Sequence, residues 1–231
     1  MRISRRRSLS CGHHSSAKSL QANSLFLLST LRSFKLVITE ETMGGGSLPD
    51  YITTYGGTHF FPAEPDMKDF HIADVAHALS LICRGNGHVK QFFSVGQHCI
   101  NCAKEAEARG YSWCVVLACL LHDASEAYMS DVPRPFKKHL KEYVALEDRF
   151  LSLIYEKYLG KDVTQKEAAL VKQIDNDMLA YDLFYLLGEG HENELPTLNL
   201  PITYDVQPFE EVERAYLELF QKAQLNLSIA E

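Results

Sequence analysis

The sequence predicts an all-α fold, a helical bundle preceded by a short irregular or hairpin segment. Apolar residues recur at helical spacing over most of the chain from Tyr51 onward, and capping signals precede several of these stretches. Segments in which apolar and polar residues alternate, as in β-strands, are almost absent. With 231 residues, 46% of them hydrophobic, the chain can bury a substantial core.

The first 42 residues differ from the rest. They carry seven lysines and arginines against two acids, Glu40 and Glu41, and they are rich in serine. Such a composition fits a transit-like leader, a disordered tail, or an upstream extension with Met43 as the true start. We therefore expect residues 1–46 to form a basic leader or extension and residues 47–231 to form the folded domain.

The first half of the domain begins with a turn-rich segment at residues 51–66, where glycines and prolines indicate a short hairpin or loop. Helical periodicity then predicts a helix over residues 69–83. Ser94 followed by Gln97 forms a capping-box pattern, which predicts that the next helix begins there and ends near Arg109.

The second half continues the helical pattern. Residues 112–129 are apolar nearly all round, which predicts a central buried helix. After two prolines, a long amphipathic stretch predicts a helix ending near Tyr158. Thr164 and Glu167 form a second capping-box pattern before a helix that runs to about residue 187, and a last helix is expected over residues 208–224.

Charge and cysteine content limit the function classes. The net charge of −7 argues against a nucleic-acid-binding surface, and no apolar stretch is long enough to span a bilayer. The six cysteines lie mostly in apolar, helix-like text, which favours reduced core thiols and a cytoplasmic protein. Cys99 and Cys102 form a lone CxxC pair, which we interpret as core residues rather than as a zinc knuckle.

Several ionisable residues lie within apolar segments of the sequence, where burial would require a partner for their charge. His122, Asp123 and Glu126 are spaced to lie near one face of the predicted central helix. A lone His-Asp pair is often accidental, and a buried histidine is usually only hydrogen-bonded. His98, near the start of one helix, and Asp175, inside another, nevertheless have the same character. Nitrogen and oxygen ligands on several helices suit one divalent metal ion, of which Mn, Fe, Co, Zn and Mg are the candidates.

The order of these residues resembles the H…HD…D signature of the HD-domain metal-dependent phosphohydrolases, over roughly residues 72–187. The segment LLHDASEAYMSDVPRPFK is similar to the corresponding segment of the bacterial 5′-deoxynucleotidases. Two upstream segments resemble a phage and prophage branch of the same superfamily, and their sequences are YGGTHFFPAEPD and FFSVGQH. The resemblance implies that one metal is held by four residues: His98, His122, Asp123 and Asp175.

The resemblance also implies roles for three further residues. Glu126 would orient or deprotonate the attacking water, and Asp131 matches a position used in catalysis or sugar recognition. Arg84 would bind phosphate, although a solvated arginine is an equal alternative from the sequence alone. Asp177 competes with Asp175 as the last ligand, and helical periodicity favours Asp175.

Two departures from the deoxynucleotidase pattern leave the recognition of sugar and base open. Gly85 follows the arginine where those enzymes have an aromatic residue, and Gln97 precedes the first histidine where glutamate is common. His59 and His88 are further candidates for the pocket, although loop histidines are more often solvated.

The sequence thus predicts a phosphohydrolase acting on nucleotides, in the first place a 5′-nucleotidase on nucleoside monophosphates. The alternatives are a deoxynucleoside triphosphate triphosphohydrolase and a non-catalytic nucleotide-binding protein of the same fold. The resemblance also implies a homodimer, and neither nucleic acid nor membrane is expected as a partner.

Overall fold

The computed structural model describes residues 49–230. The predictions for the basic leader, including Met43 as the true start, lie outside the described residues. The described part of the chain is all-α, with one small two-stranded antiparallel sheet near its beginning. This confirms the predicted fold class, and the predicted hairpin is that sheet.

The strands are β1 (Ile52–Thr53) and β2 (His59–Phe60). The helices, in chain order, are α1 (Ile72–Leu81), α2 (Val95–Ala108), α3 (Trp113–Leu121), α4 (Glu126–Met129), α5 (Arg134–Lys137), α6 (Lys141–Leu159), α7 (Gln165–Asp182) and α8 (Phe209–Ala230). Short 3₁₀ turns cover Met67–Asp69, Arg84–Gly87 and Glu192–Glu194, and a π-helical turn over Leu183–Leu187 follows α7.

Both predicted capping boxes are present. Ser94 Oγ accepts a hydrogen bond from the Gln97 amide at 3.1 Å, and Gln97 Oε1 accepts one from the Ser94 amide at 3.0 Å. Thr164 and Glu167 make the same reciprocal pair, at 3.3 and 2.8 Å. Each box satisfies amide groups that the first turn of a helix leaves without a partner, so α2 and α7 begin at defined residues.

The core surrounds α3, whose residues 114–121 are all buried. This helix packs against α2, α6, α7 and α8. A helix that is apolar on every side is stable only where it is enclosed, because each large side chain contributes roughly 1.5–3 kcal/mol when it leaves water. The apolar character read from the sequence therefore places α3 correctly at the centre of the bundle.

The prediction of one continuous helix over residues 112–129 is wrong. α3 ends at Leu121 and α4 begins at Glu126, with a tight turn between them. In this turn the amide of Ala124 donates to the carbonyl of Leu121 at 2.9 Å, so the hydrogen bond spans three residues rather than four. His122 Nδ1 donates to the Cys119 carbonyl at 2.7 Å, which occupies an acceptor near the helix end. Hydrophobic periodicity could not reveal the break because the stretch is apolar all round.

Other helix boundaries differ by a few residues from the predicted ones. α1 starts later than predicted, after a separate 3₁₀ turn, and α8 continues to Ala230 instead of ending near residue 224. The amphipathic stretch after the two prolines begins with the short α5 before α6. Such ends are the least constrained part of a helix.

Gly96, in the first turn of α2, lies where three helices meet. A Cβ atom at this position would be 3.1 Å from Val212 Cγ1 on α8 and 3.2 Å from the Leu79 carbonyl group on α1. These contacts are closer than packed side chains usually allow, so the absence of a side chain lets α2 approach both neighbours. His98 follows two residues later.

Among the described residues, no helix is long and apolar enough to cross a membrane. The five cysteines in this part of the chain are free thiols, and four of them are buried, including both members of the CxxC pair. This agrees with the interpretation of Cys99 and Cys102 as core residues.

Candidate metal centre and adjoining cavity

The four predicted metal ligands lie together, although three separate parts of the chain supply them. His98 Nε2 is 3.4 Å from Asp175 Oδ1, and His122 Nε2 is 3.7 Å from the same oxygen. His122 Nε2 is also 3.3 Å from Asp123 Oδ2. Two imidazole nitrogens and two carboxylates therefore surround one small volume between α2, the turn after α3, and α7.

The Nδ1 atom of each histidine has a partner that fixes the ring, while Nε2 faces the cluster. His122 Nδ1 donates to the Cys119 carbonyl, and His98 Nδ1 lies 2.8 Å from Asp182 Oδ2. His122 Nε2 is buried and has no hydrogen-bond partner in the described structure. An imidazole that is held through Nδ1 and presents Nε2 is the usual arrangement of a metal-ligating histidine.

The charges in this cluster polarise one another. Burial disfavours the charged form of His122, but the adjacent carboxylates of Asp123 and Asp175 prevail and raise its pKa well above the ordinary value. Burial likewise opposes ionisation of Asp175, yet the neighbouring imidazoles of His122 and His98 hold its pKa low. The cluster therefore attracts positive charge, which a proton or a divalent cation can supply.

Two buried thiols lie beside these ligands. Cys102 Sγ is 3.5 Å from His98 Nε2, and Cys99 belongs to a group with His122 and Asp123 whose ligand atoms all lie within 4.8 Å of one another. Burial raises the pKa of the Cys99 thiol. The described residues thus contain His, Cys and Asp groups that could hold a metal ion, and the uncharged thiol makes Cys99 a weaker ligand than the carboxylates.

Arg84 points into the site, so the alternative of a solvated arginine is wrong. Its side chain is only 12% exposed, and it lies 3.2 Å from Asp182, 3.5 Å from Asp123 and 4.0 Å from Asp131. The Arg84 amide donates to the Phe93 carbonyl at 2.8 Å, which ties the turn against the start of α2. Burial opposes its charge, but the three aspartates together raise its pKa. Asp131 is thereby part of the same cluster.

Glu126 is nearly fully buried, at 3% side-chain exposure, on the first turn of α4. Its Oε1 accepts a hydrogen bond from Lys137 Nζ at 3.3 Å, and its Oε2 has no partner in the described structure. Burial, together with the charges of Asp123 and Asp131, raises the pKa of Glu126 well above its ordinary value. A carboxyl group with these properties can hold and release a proton.

Asp175 and Asp177 have different surroundings. Asp175 Oδ2 accepts from Arg134 Nη2 at 2.7 Å and from Lys172 Nζ at 2.8 Å, while its other oxygen faces the two histidines. Asp177 instead forms an ion pair with Arg109 at 2.8 Å. The structure therefore brings Asp175 into the cluster and leaves Asp177 outside it.

Asp182 and Lys137 have roles in the site that were not predicted from the sequence. Asp182 accepts hydrogen bonds from Arg84 and from the Tyr204 hydroxyl in addition to that from His98. It follows Asp175 by seven residues, on the same helical face, and this spacing in apolar text was a signal for it. Lys137 is bound by Glu126 and Glu147, and its position in the PRPFK segment gave no comparable indication.

A cavity of about 810 Å³ opens above the cluster. Its floor includes Arg84, Asp123 and Glu126. One wall is aliphatic and comes from the end of α7 and the π-helical turn, and its members are Leu179, Leu183, Leu186 and Leu187. His88 lines this cavity, whereas His59 does not line it and stacks on Tyr51 with ring centroids 3.9 Å apart.

Comparisons with known proteins give partial matches. No protein-family model matches the chain. The chain is similar to the uncharacterized protein YfdR of Escherichia coli, with 37% identity over 108 residues, which cover 47% of this chain and 58% of that protein. It is also similar to the uncharacterized protein RCAP_rcc00048 of Rhodobacter capsulatus, with 34% identity over 103 residues, 41% of this chain and 51% of that protein. The matches thus span about half the length of these curated relatives, whose names state no activity.

Proposed function

We propose that this chain is a metal-dependent phosphohydrolase of the HD-domain superfamily that acts on nucleotides. The observation that carries the proposal is the convergence of His98, His122, Asp123 and Asp175. Of these, Asp123 and Asp175 line an adjoining open cavity together with Glu126. The simplest substrate is a nucleoside 5′-monophosphate. Hydrolysis of deoxynucleoside triphosphates with the same ligands is the alternative within this class.

The residues present fit a divalent metal ion. The buried Nε2 of His122 has no partner, and two imidazole nitrogens and two carboxylates match the ligands that Mn, Fe, Co and Zn accept. When bound, such a metal would lower the pKa of a coordinated water and offset the charge of phosphate oxygens. The second histidine, His98, is already oriented by Asp182.

Glu126 is the group that would take a proton from the attacking water, at its unpartnered Oε2. Lys137 holds the other oxygen in place, and a cation in the cluster would favour the ionised carboxylate that a base requires. A protein that only binds nucleotides gains nothing from a buried carboxylate with an unpartnered oxygen at this position. Glu126 therefore favours catalysis over the alternative of a non-catalytic nucleotide-binding protein.

Arg84 would hold the non-bridging oxygens of the phosphate group that is attacked. Its guanidinium already lies among Asp123, Asp131 and Asp182, so it is positioned at the floor before any substrate arrives. The aliphatic wall formed by the α7 end would contact the nucleoside, since apolar surface suits the face of a base.

A substrate panel tests this proposal. Purified protein loaded with Mn, Co, Mg or Zn is incubated with nucleoside mono- and triphosphates while phosphate and triphosphate release are measured. Release of either product by the wild type, and its loss in Glu126→Gln, would support hydrolysis. No release with any metal would contradict the proposed function.

The Glu126→Gln variant separates proton transfer from binding. We expect it to keep its metal, to lower kcat by about 10²–10⁴ and to change KM far less, because the lost group acts on the reacting water. Glu156→Gln, which changes an exposed glutamate on α6, is the matched control and should behave as wild type. Unchanged kcat in Glu126→Gln with full metal occupancy would show that Glu126 is not the base.

A further inference from the structure

Two cations stand at the mouth of the cavity, and we call Arg134 and Lys172 the mouth pair. Arg134 comes from α5 and Lys172 from α7, and both line the cavity. Their side chains are 50% and 57% exposed, whereas Arg84 at the floor is buried. The mouth pair is therefore the more solvent-exposed part of the basic residues that line the cavity.

The mouth pair shares one carboxylate oxygen. Arg134 Nη2 and Lys172 Nζ both bind Asp175 Oδ2, at 2.7 and 2.8 Å, while Asp175 Oδ1 faces His98 and His122. Two full positive charges are thus set against one negative charge that the histidines also attract.

The other cations that line the cavity already have roles. Arg84, which lies among three aspartates, would hold the phosphate that is attacked, and Lys137 is bound by Glu126 and Glu147. Arg134 has a further hydrogen bond, from Nη1 to Asn176 Oδ1 at 3.0 Å, which fixes the plane of its guanidinium toward α7. The mouth pair is therefore the positive charge in this cavity that is best placed to receive an additional anion.

We propose that the mouth pair binds a second phosphate group of the substrate, one linked to the phosphate that is hydrolysed. This inference rests on the proposed function and changes its preferred substrate, because it favours nucleoside di- and triphosphates over the monophosphate named above. Only the carboxylate of Asp175 separates the mouth pair from the histidine nitrogens. Two linked phosphates of one nucleotide could therefore contact the metal ligands and the mouth pair at the same time. Guanidinium and ammonium groups together suit a phosphate, the first through paired hydrogen bonds and the second as a point charge.

The test uses two ligands that resist hydrolysis, methylphosphonate and methylenebisphosphonate, which differ by one phosphonate group. Their binding to the Mn²⁺-loaded full chain is measured by calorimetry at equal free Mn²⁺. We expect wild type to bind the bisphosphonate about tenfold more tightly or better, as one added charge-assisted contact predicts. In the double variant Arg134→Gln/Lys172→Gln, this preference should largely disappear.

The matched control is Arg149→Gln/Lys166→Gln, which removes the same charges from exposed positions on α6 and α7 that do not line the cavity. It should keep the preference, which excludes a general effect of net charge. Equal affinity of the two ligands for wild type, or an unchanged preference in the mouth-pair variant, would overturn the inference. So would an equal loss of both ligands together with the metal, because the mouth pair would then only hold Asp175 in place.

The ligand-binding test of the mouth pair gives a result that does not depend on whether the protein hydrolyses nucleotides. If the bisphosphonate preference depends on the mouth pair but no nucleotide is hydrolysed, the second anion subsite stands and the proposed function fails. If nucleoside monophosphates are hydrolysed and the preference is absent, the proposed function stands and the subsite fails.

Discussion

Asp182 organises the centre without facing the place where a metal would lie. One of its oxygens binds both His98 Nδ1 and Arg84 Nη2, and the other accepts from the Tyr204 hydroxyl at 3.0 Å. It thereby fixes the ring that presents Nε2 and the guanidinium that would meet phosphate. Groups of this kind orient ligands and are costly to replace.

Asp182→Asn should therefore weaken metal affinity by about 10–100-fold while the helices remain, because asparagine lacks the charge that holds His98 and Arg84. Calorimetry with Mn²⁺ and far-ultraviolet circular dichroism measure the two quantities. Asp123→Ala, which removes a proposed ligand itself, should lose the metal more completely. Tyr204→Phe, which removes a single hydrogen bond to Asp182, should have a smaller effect. Wild-type affinity in Asp182→Asn would mean that His98 needs no orientation by this carboxylate.

At the scale of single residues, the sequence predicted the members of the cluster but not their partners. His98, His122, Asp123 and Asp175 stood out because ionisable residues in apolar text are costly. The ion pairs of Arg84 could not be predicted from the sequence, since an arginine after a helix is as often solvated as buried. Its surroundings depend on residues that lie about 40 to 100 positions further along the chain.

At the scale of elements, the capping boxes show how well local chemistry can be predicted. Both Ser94–Gln97 and Thr164–Glu167 use short, contiguous patterns, and both begin their helices as expected. The break between α3 and α4 is different, because local hydrogen bonds of Ala124 and His122 form it inside an apolar stretch. A hydrophobic pattern carries no information about a turn inside a fully buried stretch.

The Thr164–Glu167 box makes a prediction about pH. Hydrogen bonds from Thr164 lower the pKa of Glu167 from an ordinary 4.5 to about 2. The ionised form is the one stabilised by folding, so its contribution is present above the ordinary pKa and is lost as pH falls toward 2. We expect Glu167→Gln to be less stable than wild type at pH 7 and nearly equal to it at pH 2.

Urea unfolding of the two proteins at pH 7, 4 and 2 would measure this difference. Thr164→Ala, which removes the partner hydroxyl, should cost about 0.5–2 kcal/mol of unfolding free energy at pH 7. A difference between Glu167→Gln and wild type that stays constant across this pH range would contradict the assignment of the low pKa to this hydrogen bond.

At the scale of the whole molecule, the centre depends on the packing of distant segments. α2, the turn after α3, and α7 meet because α3 is enclosed by its neighbours, and this enclosure places their polar residues in one volume. The sequence predicted the helices and the enclosed position of α3. It could not predict which helix faces meet, because that depends on contacts between residues far apart in the chain. The aliphatic wall and the mouth pair became visible only in the folded arrangement.

The close approach at Gly96 has a consequence for how this chain can vary. Position 96 lies in the turn of α2 that carries His98 to the centre, and even a methyl group there would press on α1 and α8 at 3.1–3.2 Å. In a library that substitutes every position, Gly96 should therefore tolerate replacement as poorly as a ligand does, although it has no chemistry of its own. Gly96→Ala should lower the melting temperature and weaken metal affinity together, whereas Ala108→Gly at the far end of α2 should spare the metal. Positions that tolerate substitution poorly would then include those where the backbone is closely packed as well as those that carry reactive side chains.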